Sequence, residues 1–437
     1  MRRLDQWKET VRPYYLRWCY FPLFPQARPE YFRDGWNVPH APFDAASLAP
    51  YRPEPGRTTF LFLPMNDWHA RTQRSQHLAA ALAARRHCSF YLNPHVGREY
   101  ESVFPSRRSP RIGRLLPRVF ELHIPLPLEP VYHHRMLQAE ESYSLAGAMA
   151  PLDPLCRGNV VQIVSLPTWL DAALILRRRY GWPIVYDCHD LLAGFETMSA
   201  DIVQAETRLL AQADHVVFTS KYLRDMMSRP VPGIEARSSI VRNGVDWNLF
   251  GGLLEARRPR RGPERTIGYF GALEKWFDCD MVRAVARRAP RYRIELLGRV
   301  ESPEVSQLAR EFPNVRLEGE VPYDRLPARL AEFDVAVIPF RNTPLTRCAD
   351  PIKLYEYFAA GLPVAATWLP ELAGQADLIY LARDAGSFAD GVIEAAAEDS
   401  VERRLLRAIV ASQSSWEARA AEFERLALRV QGRTVVQ

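Results

Sequence analysis

Lysine is scarce in this chain, although the chain is basic. Of its 57 basic residues only four are lysines, Lys8, Lys221, Lys275 and Lys353, and the net charge is +6 over 437 residues. A charge this small for the length does not by itself indicate nucleic acid, an anionic membrane or an anionic substrate. We predict no nucleic-acid partner, and each retained lysine is a candidate for a specific role.

Cysteine is also sparse, and long apolar runs are missing. The six cysteines are widely scattered without a C-x-x-C pair, which argues against zinc sites and a disulfide framework. No window reaches the roughly 18 uninterrupted apolar residues of a membrane span, and no apolar run after Met1 indicates a secretory signal. These absences predict a cytoplasmic protein with a soluble body.

Residues 1–57 lack a sustained helix or strand period. They are rich in aromatic residues, arginine and proline, which predicts an N-terminal extension rather than a domain core. Tryptophan, tyrosine and arginine favour the headgroup zone of an anionic membrane, so one interpretation is peripheral contact with the inner face of the cytoplasmic membrane. The alternative interpretation is a strap packed on the body of the protein.

Buried-strand patterns and helix patterns alternate through the rest of the chain. In residues 58–250 the strand patterns are 60–64, 159–164, 183–187 and 215–219. A charged segment broken by proline and glycine, 251–264, then predicts a linker. In residues 265–405 the strand patterns are 266–270, 292–297, 315–317, 335–339 and 364–366. This alternation predicts an α/β protein with two doubly wound parallel sheets, followed by helix to about residue 428.

One segment late in the chain combines clear helix boundaries with two charged residues. Pro351 stands at the start of the predicted helix and Gly361 just beyond its end. Lys353 and Glu356 are three residues apart and therefore share a helix face. A cation for phosphate and a carboxylate for ribose hydroxyls can then point to one ligand. The alternative is a solvated ion pair, and the spacing alone leaves both open.

This segment resembles the sugar-nucleotide-binding helix of GT-B glycosyltransferases, especially glycosyltransferase family 4. The turn Asn243-Gly244-Val245-Asp246 is similar to the family's N-G-V-D turn, and Glu206 with Ala213-Asp214 supports the likeness. The resemblance covers about residues 59–430. It implies the GT-B architecture, in which two Rossmann-like domains face a cleft, with a C-terminal helix in 406–437 that crosses back to the N-terminal domain.

The same resemblance implies a nucleotide-diphosphate sugar donor bound by the C-terminal domain and an acceptor held by the N-terminal domain. Glu356 matches the second glutamate of the family's E-x7-E motif, which binds the donor ribose. Cys348 replaces the first glutamate, and its thiol accepts hydrogen bonds poorly, so Asp350 is the nearest carboxylate. The pattern resembles a bacterial subset of the family that lacks the first glutamate.

Strand ends supply further candidates for the donor site. Gly271 and Lys275 resemble the family's diphosphate loop, with Ala272 where the family usually has arginine. Gly298 and Arg299 follow the next strand, and Arg299 is a further candidate ligand of phosphate. For the first loop, a structural glycine turn is the alternative. The predicted donor-binding residues are Gly271, Lys275, Gly298, Arg299, Val321, Lys353, Leu354 and Glu356.

The N-terminal domain supplies candidates for catalysis and acceptor binding. His189 and Asp190 follow a predicted strand, and His189 resembles the histidine that lines the catalytic cleft in many family members. There it can hydrogen-bond the transferred sugar or position the acceptor. The alternative is a core histidine bonded to Asp187 or Asp190. The polar loop before the first long helix adds three acceptor-side candidates, Trp68, His69 and Arg71.

A metal site is not among the predictions. Asp278-Cys279-Asp280 has the D-x-D form of a metal–diphosphate motif, but it also starts a predicted helix as an N-cap with favourable first-turn charge. In GT-B enzymes side chains and helix dipoles generally offset the diphosphate charge. We therefore predict no metal ion, and no cofactor other than the donor substrate.

The resemblance implies a metal-independent hexosyltransferase that acts with retention on a glycan, glycolipid or polysaccharide acceptor. One alternative is a sugar-nucleotide epimerase of the same architecture, which needs no acceptor. Another is a catalytically degenerate GT-B protein that binds or scaffolds in envelope polysaccharide assembly, which Cys348 and Ala272 keep open. A nicotinamide dehydrogenase is disfavoured because no G-x-G-x-x-G opens either predicted sheet.

Overall fold

The chain divides into two compact units. The computed structural model describes residues 38–69, 71–93, 109–126, 132–256, 263–398 and 400–432. The first unit comprises Met1–Phe218, Met227–Ser239 and Ala420–Gln437, and the second comprises Thr219–Met226 and Ile240–Arg419. Residues 240–250, placed in the first domain by the sequence prediction, fall in the second unit, where Val245 forms a parallel bridge with Ser415.

A nine-stranded sheet forms the centre of the first unit within the described residues. Its strands are β1 (His40–Pro42), β2 (Thr59–Leu63), β3 (Cys88–Leu92), β4 (Arg111–Leu116), β5 (Val119–His123), β6 (Val160–Val164), β7 (Ile184–Cys188), β8 (His215–Phe218) and β9 (Ser238–Ile240). The strand order is β1-β4-β5-β3-β2-β6-β7-β8-β9. Pairings from β5 through β8 are parallel, whereas β4 pairs antiparallel with both β1 and β5.

The central strands are apolar runs because helices cover both sheet faces. All five residues of β2 and of β6 are buried, as expected for parallel strands with two covered faces. The helices of this part of the chain are α1 (Ala45–Leu48), α2 (Arg74–Ala84), α3 (Ala139–Ala148), α4 (Leu152–Cys156), α5 (Leu170–Tyr180) and α6 (Ala200–Gln212). From β2 the chain adds β3 on one side of the sheet, and it later adds β6 on the other side of β2. The loops that follow β2 and β6 therefore lie at a topological switch point.

The second unit contains a six-stranded, fully parallel sheet. Its strands are β10 (Thr266–Phe270), β11 (Arg293–Leu297), β12 (Val315–Gly319), β13 (Val335–Ile338), β14 (Val364–Thr367) and β15 (Ile379–Ala382). Counted from β10, their order β12-β11-β10-β13-β14-β15 reads 3-2-1-4-5-6, the doubly wound order. The order reverses between β10 and β13, and ligands of such sheets bind beyond the carboxyl ends at that reversal.

Eleven further α-helices lie in the rest of the described chain. They are α7 (Lys221–Met227), α8 (Trp247–Phe250), α9 (Leu253–Ala256), α10 (Cys279–Arg288), α11 (Pro303–Glu311), α12 (Leu326–Leu330), α13 (Pro344–Cys348), α14 (Ile352–Ala359), α15 (Ala385–Ala397), α16 (Val401–Gln413) and α17 (Trp416–Val430). The prediction that the chain is helical up to about residue 428 is confirmed, with a break between α16 and α17. At the start of α17 the Ser415 hydroxyl accepts a hydrogen bond from Ala418 N at 3.2 Å, as an N-cap does.

The structure bears on the expectation about membrane-spanning helices but not on the expectation about the N-terminal extension. None of the described helices combines the length and the apolarity that a membrane crossing requires. The tryptophans and tyrosines of the N-terminal extension up to residue 37 lie outside the described residues. Peripheral membrane contact through that extension therefore stays a prediction.

Candidate functional site

Two glycines join the strand ends at the switch point of the second unit. Gly271 follows β10 with φ +130°, and Gly298 follows β11 with φ +145°, a region that favours glycine. A Cβ on Gly298 would lie 1.9 Å from the carbonyl oxygen of Gly271. Gly271 N also donates to Leu297 O at 2.9 Å. The two loops therefore pack backbone against backbone, which only glycine permits.

Helix α14 brings Lys353 to this glycine turn. The predicted boundaries of the helix are confirmed, since Pro351 is its N-cap and Gly361 beyond its end has φ +65°. The Lys353 ammonium lies 5.3 Å from the ring centre of Tyr269 and 4.8 Å from that of Phe340. A Cβ on Gly271 would lie 3.2 Å from Lys353 Cε. Lysine and glycine turn thus form one surface.

Lys353 carries a positive charge without an anionic neighbour in contact. It forms no hydrogen bond or ion pair with any residue that the structure describes, and its contacts are the two aromatic rings. Burial lowers the pKa of Lys353 to about 8, although the charge of Glu356 opposes this shift. A desolvated cation is costly unless an anion neutralises it. The arrangement favours a bound anion.

Glu356 is a buried carboxylate with one hydrogen-bond donor among the residues that the structure describes. Its exposed fraction is 2%, and Tyr323 OH donates to its Oε1 at 2.8 Å. Burial raises the pKa of Glu356 to about 7, against the opposing effects of the Tyr323 hydrogen bond and the Lys353 charge. A solvated ion pair with Lys353 is therefore not what this helix face holds. One carboxylate oxygen keeps capacity for ligand hydroxyls.

Cys348, which replaces the first glutamate of the motif, and the nearby Asp350 both bond to other parts of the second unit. Cys348 is fully buried, and its carbonyl accepts from Ser220 Oγ at 2.7 Å. Asp350 accepts hydrogen bonds from Asn243 N at 2.6 Å and Tyr355 OH at 2.8 Å, and pairs with Arg242 at 3.2 Å. These contacts hold the turn that follows β9. Asp350 is thus committed to the fold of the second unit.

The other residues predicted to bind the donor substrate lie in flanking loops or in the apolar core. Lys275 is exposed in the loop after β10, and Arg299, after β11, pairs with Glu301 at 2.6 Å. Val321 is half-buried against the apolar core. Leu354 lies in that core with 3% exposure, so its side chain serves packing. The structure therefore brings together Gly271, Gly298, Lys353 and Glu356 most closely.

Asp278-Cys279-Asp280 forms the start of helix α10. Asp278 is its N-cap, with a carboxylate oxygen that accepts from Asp280 N at 3.0 Å. Asp280 pairs with Arg283 one turn along the helix. The N-cap prediction for this motif is confirmed.

In the first unit, His189 and Asp190 follow β7. His189 Nδ1 donates to the carbonyl of Asp187 at 3.0 Å, which in the neutral imidazole leaves Nε2 as the acceptor atom. The nearest carboxylate oxygens of Asp187 and Asp190 lie 3.9 Å away, beyond hydrogen-bond distance. Burial raises the pKa of Asp190, against the charges of His189 and Arg74. The alternative of a histidine hydrogen-bonded to Asp187 is therefore observed, through the backbone carbonyl rather than the carboxylate, and it leaves Nε2 available.

Arg74 at the start of α2 anchors this strand end. Its Nε lies 3.0 Å from both carboxylate oxygens of Asp187, and both side chains are buried. The loop before α2 is also fixed at Trp68, whose N donates to Asn93 Oδ1 at 2.9 Å. Arg71 is half-buried, and its carbonyl accepts from Gln76 Nε2 at 3.0 Å. This loop stands at the first unit's switch point.

His69 belongs to a cluster that the sequence reasoning missed. Its Nε2 lies 2.7 Å from Glu121 Oε2, and Glu121 also contacts His40, His123 and Asn93. Burial raises the pKa of Glu121, but hydrogen bonds from His123, His40 and His69 outweigh it and hold that pKa below its usual range. Ligand atoms of His40, Glu121 and His123 lie within 4.8 Å of one another. The alternation Glu-x-His on one strand was the only local signal.

Two family models match the chain. The model described as "Glycosyl transferases group 1" matches residues 264–398. The model described as "Glycosyltransferase Family 4" matches residues 73–249. Between them they cover all six strands of the second sheet and strands β3 to β9 of the first. A curated protein of Bacillus subtilis, the teichuronic acid biosynthesis glycosyltransferase TuaH, is 28% identical over 211 residues. That alignment covers 45% of this chain and 53%, about half, of the Bacillus protein.

Solved structures share the fold at lower identity. Sucrose-phosphate synthase from Thermosynechococcus elongatus has a TM-score of 0.65 at 17% identity, covering 86% of this chain and 99% of that one. The catalytic domain of starch synthase IV from Arabidopsis thaliana, bound to ADP and acarbose, has a TM-score of 0.60 at 13% identity, covering 86% and 100%. HepE from Anabaena, in complex with UDP and glucose, has a TM-score of 0.56 at 14% identity, covering 84% and 98%. At these identities the likeness concerns the fold alone.

Proposed function

Because the chain belongs to the GT-B glycosyltransferases related to family 4, we propose that it transfers a sugar from a nucleotide-diphosphate sugar to a glycan or lipid-linked acceptor. The observation that carries this proposal is Lys353, a half-buried cation without an anionic partner among the described residues, beside a glycine turn and a buried carboxylate. A diphosphate next to a ribose presents the complementary groups. The structures of HepE with UDP and of starch synthase IV with ADP support this choice.

In this proposal the second unit binds the donor. The backbone at Gly271 and Gly298 approaches the diphosphate closely, and Lys353 neutralises charge that builds up on it as the bond from the anomeric carbon to the phosphate oxygen breaks. Glu356 accepts hydrogen bonds from ribose hydroxyls. Lys275 and Arg299, which lie in the flanking loops, add positive charge from the solvent side. No metal ion takes part in this step.

The first unit would bind the acceptor and the transferred sugar. His189 Nε2, an acceptor atom in the neutral ring, would bond a hydroxyl of the sugar, and Asp190 would take part beside it. Trp68 and Arg71 stand on the loop at the switch point and would contact the acceptor. His69 acts through its bond to Glu121 rather than by touching the acceptor. The new bond joins the acceptor oxygen to the anomeric carbon, and the acceptor hydroxyl gives its proton to the freed oxygen of the departing nucleoside diphosphate.

A transfer assay tests this proposal. The protein is incubated with UDP-, GDP-, ADP- or dTDP-sugars, with and without glycan or lipid-linked acceptors and without added divalent cation, and products are identified by NMR. We expect acceptor-dependent release of one nucleoside diphosphate and a retained anomeric configuration. An inverted product would contradict retention. Conversion of the donor without acceptor would indicate an epimerase, and binding without turnover would indicate a degenerate binding protein.

We further propose that the protein works in the cytoplasm, in contact with the inner face of the membrane. The support is the aromatic and arginine-rich composition of residues 1–37. Co-sedimentation with vesicles containing anionic lipid tests this. The full chain should bind more strongly than a chain lacking residues 1–37, and equal binding would contradict the proposal.

A further inference from the structure

We propose that the first unit binds one divalent transition-metal ion of the zinc class through Glu121, His40 and His123, with His69 supporting the Glu121 carboxylate from its other oxygen. The site is separate from the donor-binding residues of the second unit. It rests on three observations: the convergence of the side chains, the way in which the sheet makes room for them, and the charge that they enclose.

Four side chains converge on a single buried carboxylate. Glu121 is fully buried. Its Oε1 lies 2.6 Å from His40 Nε2, and its Oε2 lies 2.7 Å from His69 Nε2 and 3.2 Å from His123 Nε2. Asn93 Nδ2 completes the set at 2.6 Å from Oε2. These residues come from β1, the loop after β2, β5 and the end of β3, so tertiary structure alone assembles the cluster.

The sheet is shaped to bring these groups together. Glu121 and His123 alternate along β5 and therefore share one face. In the register of the sheet His40 pairs with Gly113, and Gly113 pairs with Glu121. A Cβ on Gly113 would lie 2.7 Å from His40 Nε2 and 2.9 Å from Glu121 Oε1. A side chain on β4 at this point would therefore close the space where the histidine meets the carboxylate.

The enclosed charge calls for a cation. Among the described residues, the partners of Glu121 are three imidazoles and an amide, and no lysine or arginine contacts it. Nearby, the buried Asp67 accepts a hydrogen bond from His69 N at 2.8 Å and adds a second carboxylate. Buried carboxylates require a compensating charge. A divalent ion supplies it and leaves the imidazoles neutral, as metal ligands must be.

The donor set fits the zinc class. Imidazole nitrogen and carboxylate oxygen are its usual ligands, at about 2.0–2.2 Å in a tetrahedral arrangement, which corresponds to ligand atoms about 3.3 Å apart. The ligand atoms of His40, Glu121 and His123 lie within 4.8 Å of one another. Side-chain rotations that move the ligand atoms by a few tenths of an ångström to about one ångström would admit the ion. Bound there, it fastens the edge strand β1 and the His69 loop to β5.

Metal titration of the full chain tests the proposal. Untagged protein is treated with a chelator, exchanged into metal-free buffer and titrated with Zn²⁺ by calorimetry and with Co²⁺ by visible absorption. We expect one ion per chain, a Co²⁺ spectrum with nitrogen and oxygen ligation, and a higher melting temperature with Zn²⁺. His40→Gln and His123→Gln should each weaken binding by more than the roughly tenfold that loss of a supporting residue costs.

His87→Gln is the matched control. His87 also stands beside a carboxylate of the first unit, with Nε2 3.1 Å from Glu424 Oε1, but outside the cluster. This variant should bind Zn²⁺ as the natural chain does. Absence of saturable Co²⁺ binding by the natural chain would overturn the proposal without recourse to variants, and would make the cluster a proton-sharing hydrogen-bond network. Equal weakening by His87→Gln would also overturn it.

Discussion

Glu356 and Glu121 are both buried carboxylates, but their surroundings differ. Glu356 receives one hydrogen bond, from Tyr323, and its pKa is raised to about 7 mainly by burial. Glu121 has three histidines and an asparagine around it, and its pKa lies below the usual range. The imidazoles around Glu121 suit a metal cation that the carboxylate can share with them. Glu356 instead keeps an unused oxygen close to Lys353, which contacts no anion among the described residues, and this arrangement suits a nucleotide.

Loss of transfer is the largest effect that this comparison predicts. Lys353→Ala and Glu356→Ala should each lower kcat/KM by about 10²–10³, because each removes a charged group from the desolvated donor site. Lys221→Ala is the control, since Lys221 is an exposed lysine of the second unit at the start of α7. The measurement is the initial rate of transfer. A Lys353→Ala enzyme within threefold of the natural rate would refute the role of this lysine.

Stability should separate the two carboxylates in the opposite sense. Glu121→Ala should lower the free energy of unfolding by about 3 kcal/mol, because it leaves several buried partners unbonded. Glu356→Ala should lower the free energy of unfolding by less than about 1 kcal/mol. Removing this carboxylate also removes the unfavourable free energy of burying it. Urea unfolding followed by circular dichroism measures both. The comparison fails if the two substitutions destabilise equally.

The glycine contact between the loops after β10 and β11 offers a geometric test. Gly298→Ala places a Cβ 1.9 Å from the Gly271 carbonyl oxygen at a φ of +145°, so it should cost about 2 kcal/mol or more and abolish nucleotide binding. Gly374→Ala, in the same unit, meets no atom within 4 Å and should leave stability and binding unchanged. Thermal unfolding with and without nucleotide distinguishes them. Normal binding by Gly298→Ala would show that the two loops do not need this contact.

The pH dependence of nucleotide binding should be bell-shaped. Binding needs ionised Glu356, whose pKa is raised by burial to about 7, and protonated Lys353, whose pKa is lowered by burial to about 8. Affinity should therefore peak between about pH 7 and 8 and weaken by up to about tenfold per pH unit on either side. Calorimetric titration across pH measures this. Glu356→Gln should remove only the acidic limb, and an unchanged acidic limb would assign it to another group.

Stability of the ligand-free protein should follow the same two groups. A carboxyl whose folded pKa is raised binds more protons folded than unfolded, so Glu356 lowers stability as pH rises from about 4.5 to about 7. Lys353 has a lowered folded pKa, so its ammonium group costs stability below about pH 8. This cost is lost as the pH rises from about 8 to about 10.5, because the folded protein then binds fewer protons than the unfolded chain. Both penalties are present near pH 7.5, where a bound diphosphate would offset that of Lys353 and ribose hydroxyls would offset that of Glu356.

The fold was predictable where local patterns suffice. Strand β10 matches its predicted range, because a parallel strand covered on both faces is a continuous apolar run. Helix α14 was predicted because proline and glycine mark its ends. Strand β4 was missed, since charged residues interrupt it and antiparallel pairing with β1 and β5 forms it. Its stability comes from contacts distant in sequence, which periodicity does not record.

The candidate site was predictable to the same extent. Lys353, Glu356 and Gly271 stand in motifs, and the structure places Lys353 beside the glycine turn. The tyrosine that bonds Glu356, Tyr323, comes from a different loop and carries no local signal. The residues around Glu121 are distant from it in sequence, and His40 is 81 positions away. They come together only in the folded sheet, so apart from Glu-x-His the sequence carries no pattern that predicts the cluster.

Nucleotide-dependent thermal stabilisation tests the central claim most directly. The natural chain, Lys353→Ala and Glu356→Ala are melted with UDP, GDP, ADP and dTDP, since a ligand that binds the folded state raises its melting temperature. We predict that one nucleotide stabilises the natural chain selectively and that both variants lose this effect. Stabilisation that persists in both variants, or none with any nucleotide, would contradict a donor site at Lys353 and Glu356.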